Sequence, residues 1–217
     1  MQSSEFYAQR DNLLYWSLEK GNLTRLYDKE IRPYIENDCI NLSVFALAPI
    51  PLLILLGSLL TNKHDIDVYQ YKKDLASWQN DLTKTPVQYT CTRHNFKLSC
   101  QDVILALSLS GNVKKENIQK TISLDNTFYE ITADNPTDDV IRCPEDIRCF
   151  FNAYRKVREE IWNTHGKGTK IHLFGAIPVS IAIEIGRQYN KNSDMPIVTY
   201  HFCQNNYRKI YTVGEDV

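Results

Sequence analysis

The sequence predicts an α/β protein made of two similar halves, each built on a doubly wound, mainly parallel sheet and related by a pseudo-twofold. Three observations predict it. A long apolar run is broken by two prolines. The same pattern returns later in the chain at a constant offset. A strong amphipathic helix precedes the second copy. The 217 residues are 43% hydrophobic and 24% charged, with net charge −1. That balance excludes a disordered or fibrous chain and gives no global basic field for duplex DNA or an anionic membrane.

The run at residues 42–60 reads LSVFALAPIPLLILLGSLL, with no charge between Asp38 and Lys63. Its length, about 20 residues, alone would suit a transmembrane helix. Pro49 and Pro51 near its middle would break that helix. The run divides instead into a buried strand at Val44–Leu47 and a helix at Leu52–Leu60 opening after a proline. The offset supports the division. Residues 171–189 read IHLFGAIPVSIAIEIGRQY, placing Phe45 over Phe174, Pro49 over Pro178, Ile54 over Ile183 and Gly57 over Gly186, all 129 residues apart. Val68 falls over Ile197 and Tyr71 over Tyr200. Glu184 and Arg187 in the second helix rule out a lipid span. Each copy therefore reads as strand, tight turn, helix and return strand, the last at Asp67–Tyr71 and Ile197–His201.

The remaining elements follow in order. The segment to about Tyr34 carries a weak helical pattern, through Phe6, Leu13, Leu14 and Leu18. Val103–Ser110 reads as a buried strand ended by Gly111, Lys114–Ser123 as a short helix and Phe128–Thr132 as another strand. Residues 145–164 repeat Ile147, Phe150, Phe151, Tyr154, Val157 and Ile161 at helical spacing, with Pro144 near the start and Gly166 as the stop. The expected organisation is an N-terminal helical segment or linker at 1–40 and one domain at 41–217, with halves at 41–135 and 136–217.

The six cysteines (Cys39, Cys91, Cys100, Cys143, Cys149 and Cys203) show no C-x-x-C spacing. They read as reduced, mostly buried thiols of a cytoplasmic protein, and the N-terminus lacks a signal-peptide pattern. The histidines are scattered. His172 and His201 fall in expected strands, but two histidines without a third ligand do not make a metal site, so no metal or cofactor is expected.

Open α/β sheets bind ligands at the carboxyl ends of their strands, and helix starts there offer free N–H groups to phosphate. The turns lack the glycine spacing of dinucleotide folds and of nucleoside triphosphatases. Candidate ligand contacts are Pro49, Ile50, Pro51 and Leu52 in the first turn, with Phe174, Gly175, Ala176, Pro178 and Ser180 in the second. Past the first return strand, Tyr69, Tyr71, Lys72, Lys73 and Trp78 offer stacking faces and charge. Ser108, Ser110 and Gly111 end the central strand. Tyr200 and Tyr207 are the second copy's aromatic candidates.

The segments VFALAPIPLLILLGSLL…VYQYKKDLASW, LALSLSGNV and IHLFGAIPVSIAIEIGR…VTYHFCQNNY resemble, in order, the signatures of a SAVED domain, a fusion of two CARF-like halves. The resemblance runs from about Asn41 to Thr212. It implies a sensor of bacterial CBASS antiphage defence that binds a cyclic di- or trinucleotide and activates an attached effector, often a nuclease. The small size is most like the sensor half of an HNH-SAVED nuclease, with residues 1–40 leading from an absent effector. That architecture implies a cyclic dinucleotide such as a cyclic GMP–AMP, assembly of copies on ligand binding, and DNA contact through the effector alone. The family's pocket carries over to Pro49–Leu52 and Gly175–Ser180, with Lys72, Trp78, Ser108, Ser110 and Tyr200 beside it. Two alternatives stand beside this reading: a ring nuclease that cleaves the cyclic ligand, and a partner-binding domain with no nucleotide. No paired acid and base favours catalysis, so the chain is expected to bind rather than to react.

Overall fold

In the computed structural model, residues 12–36, 41–72, 76–78, 85–98 and 100–215 are described. The side chain of Asn12 accepts from Leu14 N and caps helix α1, Leu13–Leu26. The helix runs through a π turn at Tyr27–Ile31 into α2, Arg32–Glu36. This segment packs on the body. Trp16 is buried with its ring 4.9 Å from that of His201, and Tyr27 and Ile35 join the main core.

The apolar run forms strand β1 (Leu42–Val44), a turn and helix α3 (Ile50–Leu60), with Pro49 as N-cap and Pro51 in the first turn. Strand β2 (Ile66–Val68) returns parallel to β1, Leu42 opposite Ile66. Among the described residues no helix is long and apolar enough to cross a membrane. Both strands are shorter than expected. β1 ends at Val44 instead of Leu47, and β2 ends at Val68 instead of Tyr71. A strand extends only while a neighbour continues its ladder, and β1 and β2 have only each other among the described residues.

The second sheet has six strands: β3 (Tyr89–Asn95), β4 (Asp102–Ser108), β5 (Phe128–Ala133), β6 (Lys170–Ala176), β7 (Ile197–Cys203) and β8 (Asn206–Val213). Their spatial order is β3-β5-β4-β6-β7-β8. The inner neighbours β5-β4, β4-β6 and β6-β7 are parallel, while β3 and β8 are antiparallel edges. The expected α/β class is observed, with both edge strands added. The boundary expected at residue 135 falls inside this sheet, because β3, β4 and β5 precede it and β6 to β8 follow it.

Three helices complete the second unit: α4 (Lys115–Gln119), α5 (Pro144–His165) and α6 (Val179–Arg187). On one face of the sheet, Leu105, Leu107, Ile171 and Leu173 meet α3, α5 and α6 through Ile54, Phe150 and Ile181. On the other face, Ile104, Ala106, Phe128, Phe174 and Tyr200 meet Ile118 of the short α4. A strand buried on both faces needs continuous apolar sequence, which β4 (DVILALS) supplies.

Helices α3 and α6 cross at their glycines. A Cβ on Gly57 would overlap the carbonyl oxygen of Ile183, and one on Gly186 would overlap that of Ile54. The same Cβ atoms would lie 2.9 Å from Arg187 N and 2.7 Å from Ser58 N. Gly57 with Gly186, Ile54 with Ile183 and Ser58 with Arg187 are all pairs 129 residues apart. The contact is reciprocal, so a pseudo-twofold axis passes between the helices. Arg187 fastens the crossing to the loop after α3 and the start of β2, donating to the carbonyls of Thr61 (3.2 Å), His64 (3.0 Å) and Ile66 (3.0 Å).

No disulfide joins the described cysteines. The expectation of mostly buried thiols holds for Cys100 and Cys143, whereas Cys149 and Cys203 are half-buried and Cys91 is exposed on edge strand β3. Cys39 lies outside the described residues.

Candidate functional site

Strands β4 and β6 are neighbours, yet the chain leaves β4 toward β5 and leaves β6 toward β7. That divergence opens a crevice at their carboxyl ends, where α/β sheets take ligands. Ser110 and Gly111 lie on one lip, Gly175 and Ala176 on the other. Leu109 N (3.0 Å) and Ser110 N (2.8 Å) both donate to Ala176 O and hold the lips together. Ser108 sits beneath. Its hydroxyl donates to Glu130 Oε1 at 2.7 Å and accepts from Val113 N at 3.1 Å, which shapes the turn. Glu130 Oε2 in turn lies 2.7 Å from His94 Nε2.

A cavity of about 240 Å³ opens beside these lips, lined by Asn112, Lys114, Asn117, Gly175, Ala176, Phe202, Asn205 and Tyr207. Lys120 Nζ braces its wall, donating to Asn117 Oδ1 (3.1 Å) and Asn205 O (2.8 Å). The exposed Phe202 ring stands 4.8 Å from Tyr207. The cavity offers amides, a lysine and the exposed Phe202 ring, backed by buried Tyr207. Asn112, Lys114, Asn117, Phe202 and Asn205 were not singled out from sequence. Their signal is position alone: Asn112, Lys114, Asn117 and Asn205 lie within ten residues past the end of an inner strand, and Phe202 lies at the end of β7.

The helix starts are more enclosed than expected. Pro49 and Ile50 are half-buried, Pro51 and Leu52 are buried, and Pro51 O accepts from the Tyr211 hydroxyl. Burial pushes the Tyr211 phenol well above its ordinary pKa. At the second start, Pro178 precedes buried Ser180, whose N (3.2 Å) and Oγ (3.0 Å) both donate to Gln70 Oε1. Gln70 follows β2, so this contact joins the carboxyl end of the first sheet to the second half's helix. Gln70 was not anticipated; its neighbours Tyr69 and Tyr71 drew the attention.

The residues after β2 divide. Lys72 is buried and its Nζ donates to Arg142 O at 2.9 Å. Lys73 lies outside the described residues. Phe45 stacks on Tyr69 at 4.5 Å and meets Trp78 edge-on at 5.2 Å, and Trp78 touches Tyr71 at 5.1 Å.

Phe174 and Tyr200 lie away from the crevice, in the core of the second face, stacked at 4.3 Å. Tyr200 donates to His172 Nδ1 at 2.6 Å, and His172 Nε2 donates to Asp102 at 2.8 Å, which fixes the neutral tautomer. Burial lowers the His172 pKa against the opposing pull of Asp102, and burial pushes Tyr200 up to about 12. His201 packs on Trp16 at the opposite face, so the two histidines do not meet. Among the described residues no group of three His, Cys, Asp or Glu side chains is placed to hold a metal ion.

A family model described as "SMODS-associated and fused to various effectors sensor domain" (SAVED) matches residues 23–213. No curated protein matches the sequence. Among solved structures, the chain is similar to the Acinetobacter baumannii Cap4 SAVED/CARF-domain receptor with the cyclic trinucleotide 2′3′3′-cAAA. The TM-score is 0.63 at 14% identity, covering 84% of this chain and 40% of the receptor. The same receptor with 3′3′3′-cAAA gives 0.64 at 15%, covering 93% and 44%. The Moraxella osloensis Cap4 receptor gives 0.59 at 17%, covering 93% and 43%. The chain thus spans less than half the length of these receptors.

Proposed function

The chain belongs to the SAVED family of sensor domains, and from that premise we propose that it binds a cyclic oligonucleotide in the crevice between the carboxyl ends of β4 and β6. The observation that carries the reading is the cavity beside the tied lips, lined on one side by Gly175 and Ala176, which sets a lysine, side-chain amides and aromatic rings around one space. Lys114 meets a phosphate, the asparagines meet base edges, and Phe202 with Tyr207 stacks a base. Gln70, bonded to Ser180, ties the first half to the helix that follows β6.

The role is binding, with the chemistry done by an attached effector. We place the domain in bacterial antiphage defence, in the cytoplasm, as the sensor of a nuclease of the HNH kind, with copies of the full-length protein assembling when ligand binds. A cyclic dinucleotide such as a cyclic GMP–AMP is the first candidate ligand. The trinucleotides stand beside it because the similar Acinetobacter receptors hold cyclic triadenylates.

Calorimetry against cyclic GMP–AMP, 2′3′3′-cAAA and 3′3′3′-cAAA tests the reading. One ring binds, and Phe202→Ala weakens it by about 1–3 kcal/mol. Lys114→Glu also weakens it, and the loss shrinks as salt rises. Absence of binding to every ring defeats the proposal. Recovery of a linear product makes the domain a ring nuclease instead.

A further inference from the structure

One wall of the crevice cavity is fixed while the others adapt. Helix α4 ends beside the turn between β7 and β8, and the two are stapled together. Lys120 Nζ donates to Asn117 Oδ1 (3.1 Å) and to Asn205 O (2.8 Å), and Thr121 Oγ1 donates to Tyr207 O (2.9 Å). The turn is tight. Gln204 and Asn205 join Cys203 to its partner Asn206, and both take positive φ, 51° and 58°. Two successive left-handed residues match the twist of the flanking strands, and they set the Asn205 carbonyl where Lys120 meets it. Beneath, Ile118 is fully buried in the cluster that holds Phe174 and Tyr207, so α4 is pinned to the sheet.

The staple decides which way Asn117 faces. The residue is only 8% exposed, and it lines the cavity. An ammonium has three donors and no acceptor, so the amide oxygen must be the atom turned to Lys120. The Nδ2 group, with two N–H donors, is left for the cavity, and among the described residues nothing accepts from it. Donors at so buried a residue call for a partner that brings its own lone pairs. Lys114 adds a further donor to the same lining. Asn112 and Asn205 are exposed and their side chains carry no such brace, so their amides turn to suit the occupant. At about 240 Å³ the cavity lies below the ~300 Å³ at which drug-sized ligands begin to be enclosed, so it takes one base of a ring. The exposed Phe202 ring offers that base a face.

We propose that Asn117, locked by Lys120, makes the cavity selective for a keto base, guanine or uracil, over an amino base, adenine or cytosine. The inference rests on the cyclic-oligonucleotide reading above and adds the base to it. Guanine turns two acceptors, O6 and N7, to one edge, and uracil turns O4 there. Adenine and cytosine place an amino donor at the matching position. A donor that faces the Asn117 donors leaves both sides unsatisfied, and a site built to donate rejects such a base. Asn117 reads the base. Lys120 acts through Asn117 and is a positioning residue. The similar Acinetobacter receptor holds rings of adenine alone, so base choice is where this chain departs from it.

The test is calorimetry with 3′3′-linked cyclic dinucleotides of equal charge, compared within each base size: di-GMP against di-AMP, and di-UMP against di-CMP. The expected result is a keto ring that binds at least about tenfold tighter than its amino counterpart. Lys120→Met frees the Asn117 amide to turn its oxygen to an amino base, so the ratio falls toward one, chiefly because the amino ring gains. A merely structural lysine would weaken both rings alike and leave the ratio unchanged, which overturns the proposal. Asn117→Asp keeps the partner of Lys120 and presents only oxygens, so the preference reverses. Its added charge burdens both rings equally, and the ratio still reports the base edge. If Lys120→Met does not fold, by circular dichroism, Asn117→Asp decides alone, and an unchanged preference in it overturns the proposal. Equal binding of paired rings overturns it too, as does binding confined to di-AMP or 2′3′3′-cAAA; both outcomes leave the sensor reading standing. Only failure of every ring to bind, the triadenylates included, defeats the two together.

Discussion

Asp146 anchors the start of α5. Its carboxylate, fully buried, accepts from Val87 N (2.8 Å), Arg142 N (2.8 Å) and Cys143 N (3.2 Å), with the Arg142 guanidinium 3.6 Å away. Burial alone would raise its pKa, but the three donors and the guanidinium prevail and hold it below the usual carboxylate value. A lowered folded pKa means that ionised Asp146 adds stability above its unfolded pKa. That stability is lost as pH falls through the folded value. Asp146→Asn, whose single carbonyl oxygen cannot serve three donors, is expected to cost about 3 kcal/mol by urea unfolding at pH 7. It should also flatten the acid side of the stability profile; an unchanged acid limb counts against this role. Arg187 is a second anchor. Arg187→Lys keeps the charge but loses the planar fork that reaches three carbonyls, and is expected to cost about 2 kcal/mol in the same measurement. The sequence marked Arg187 only as a charge in the second helix and Asp146 only as an acid near a helix start, and showed neither anchoring role. Lys72 shows why: a lysine beside aromatic residues reads the same whether its ammonium faces phosphate or a carbonyl. The carbonyl here belongs to Arg142, far along the chain.

At the scale of elements, the glycine crossing of α3 and α6 is the least tolerant contact. Gly57→Ala or Gly186→Ala must push backbone from backbone, because each new methyl meets a main-chain oxygen. Each is expected to cost about 1–3 kcal/mol in chemical denaturation, and by similar amounts, given the reciprocal geometry. The double variant should cost less than the sum, since one separation of the helices relieves both clashes. Additive losses would mean the two glycines act independently. These helices were legible in the sequence because proline starts and matched glycines recur at one offset. Helix α5 was legible from its apolar stripe. The edge strands were not. β3 (YTCTRHN) is exposed along most of its length, so it carries little of the alternation that marks a half-buried strand.

At the scale of the molecule, a ligand that binds only the folded form raises its stability by mass action. Cyclic oligonucleotide at a hundred times its Kd should add about 2.7 kcal/mol and raise Tm accordingly. A ligand that binds by calorimetry yet leaves Tm unmoved binds the unfolded chain equally well. The two-half architecture was legible from the offset. The assignment of β3, β4 and β5 to the second sheet was not, because a repeat reports only what both copies possess. The glycine crossing also sets an order in time. Each strand–helix–strand crossover closes a short loop, whereas the crossing joins residues 129 apart and must wait for both helices to exist. Loop closure over that distance is entropically late, and one helix on two short strands has little to hold it beforehand. The six-stranded sheet is therefore expected to fold first and to serve as the mould, with the N-terminal half, although made earlier on the ribosome, gaining amide protection later in a pulse-labelling experiment; protection of both halves in one phase would contradict this order.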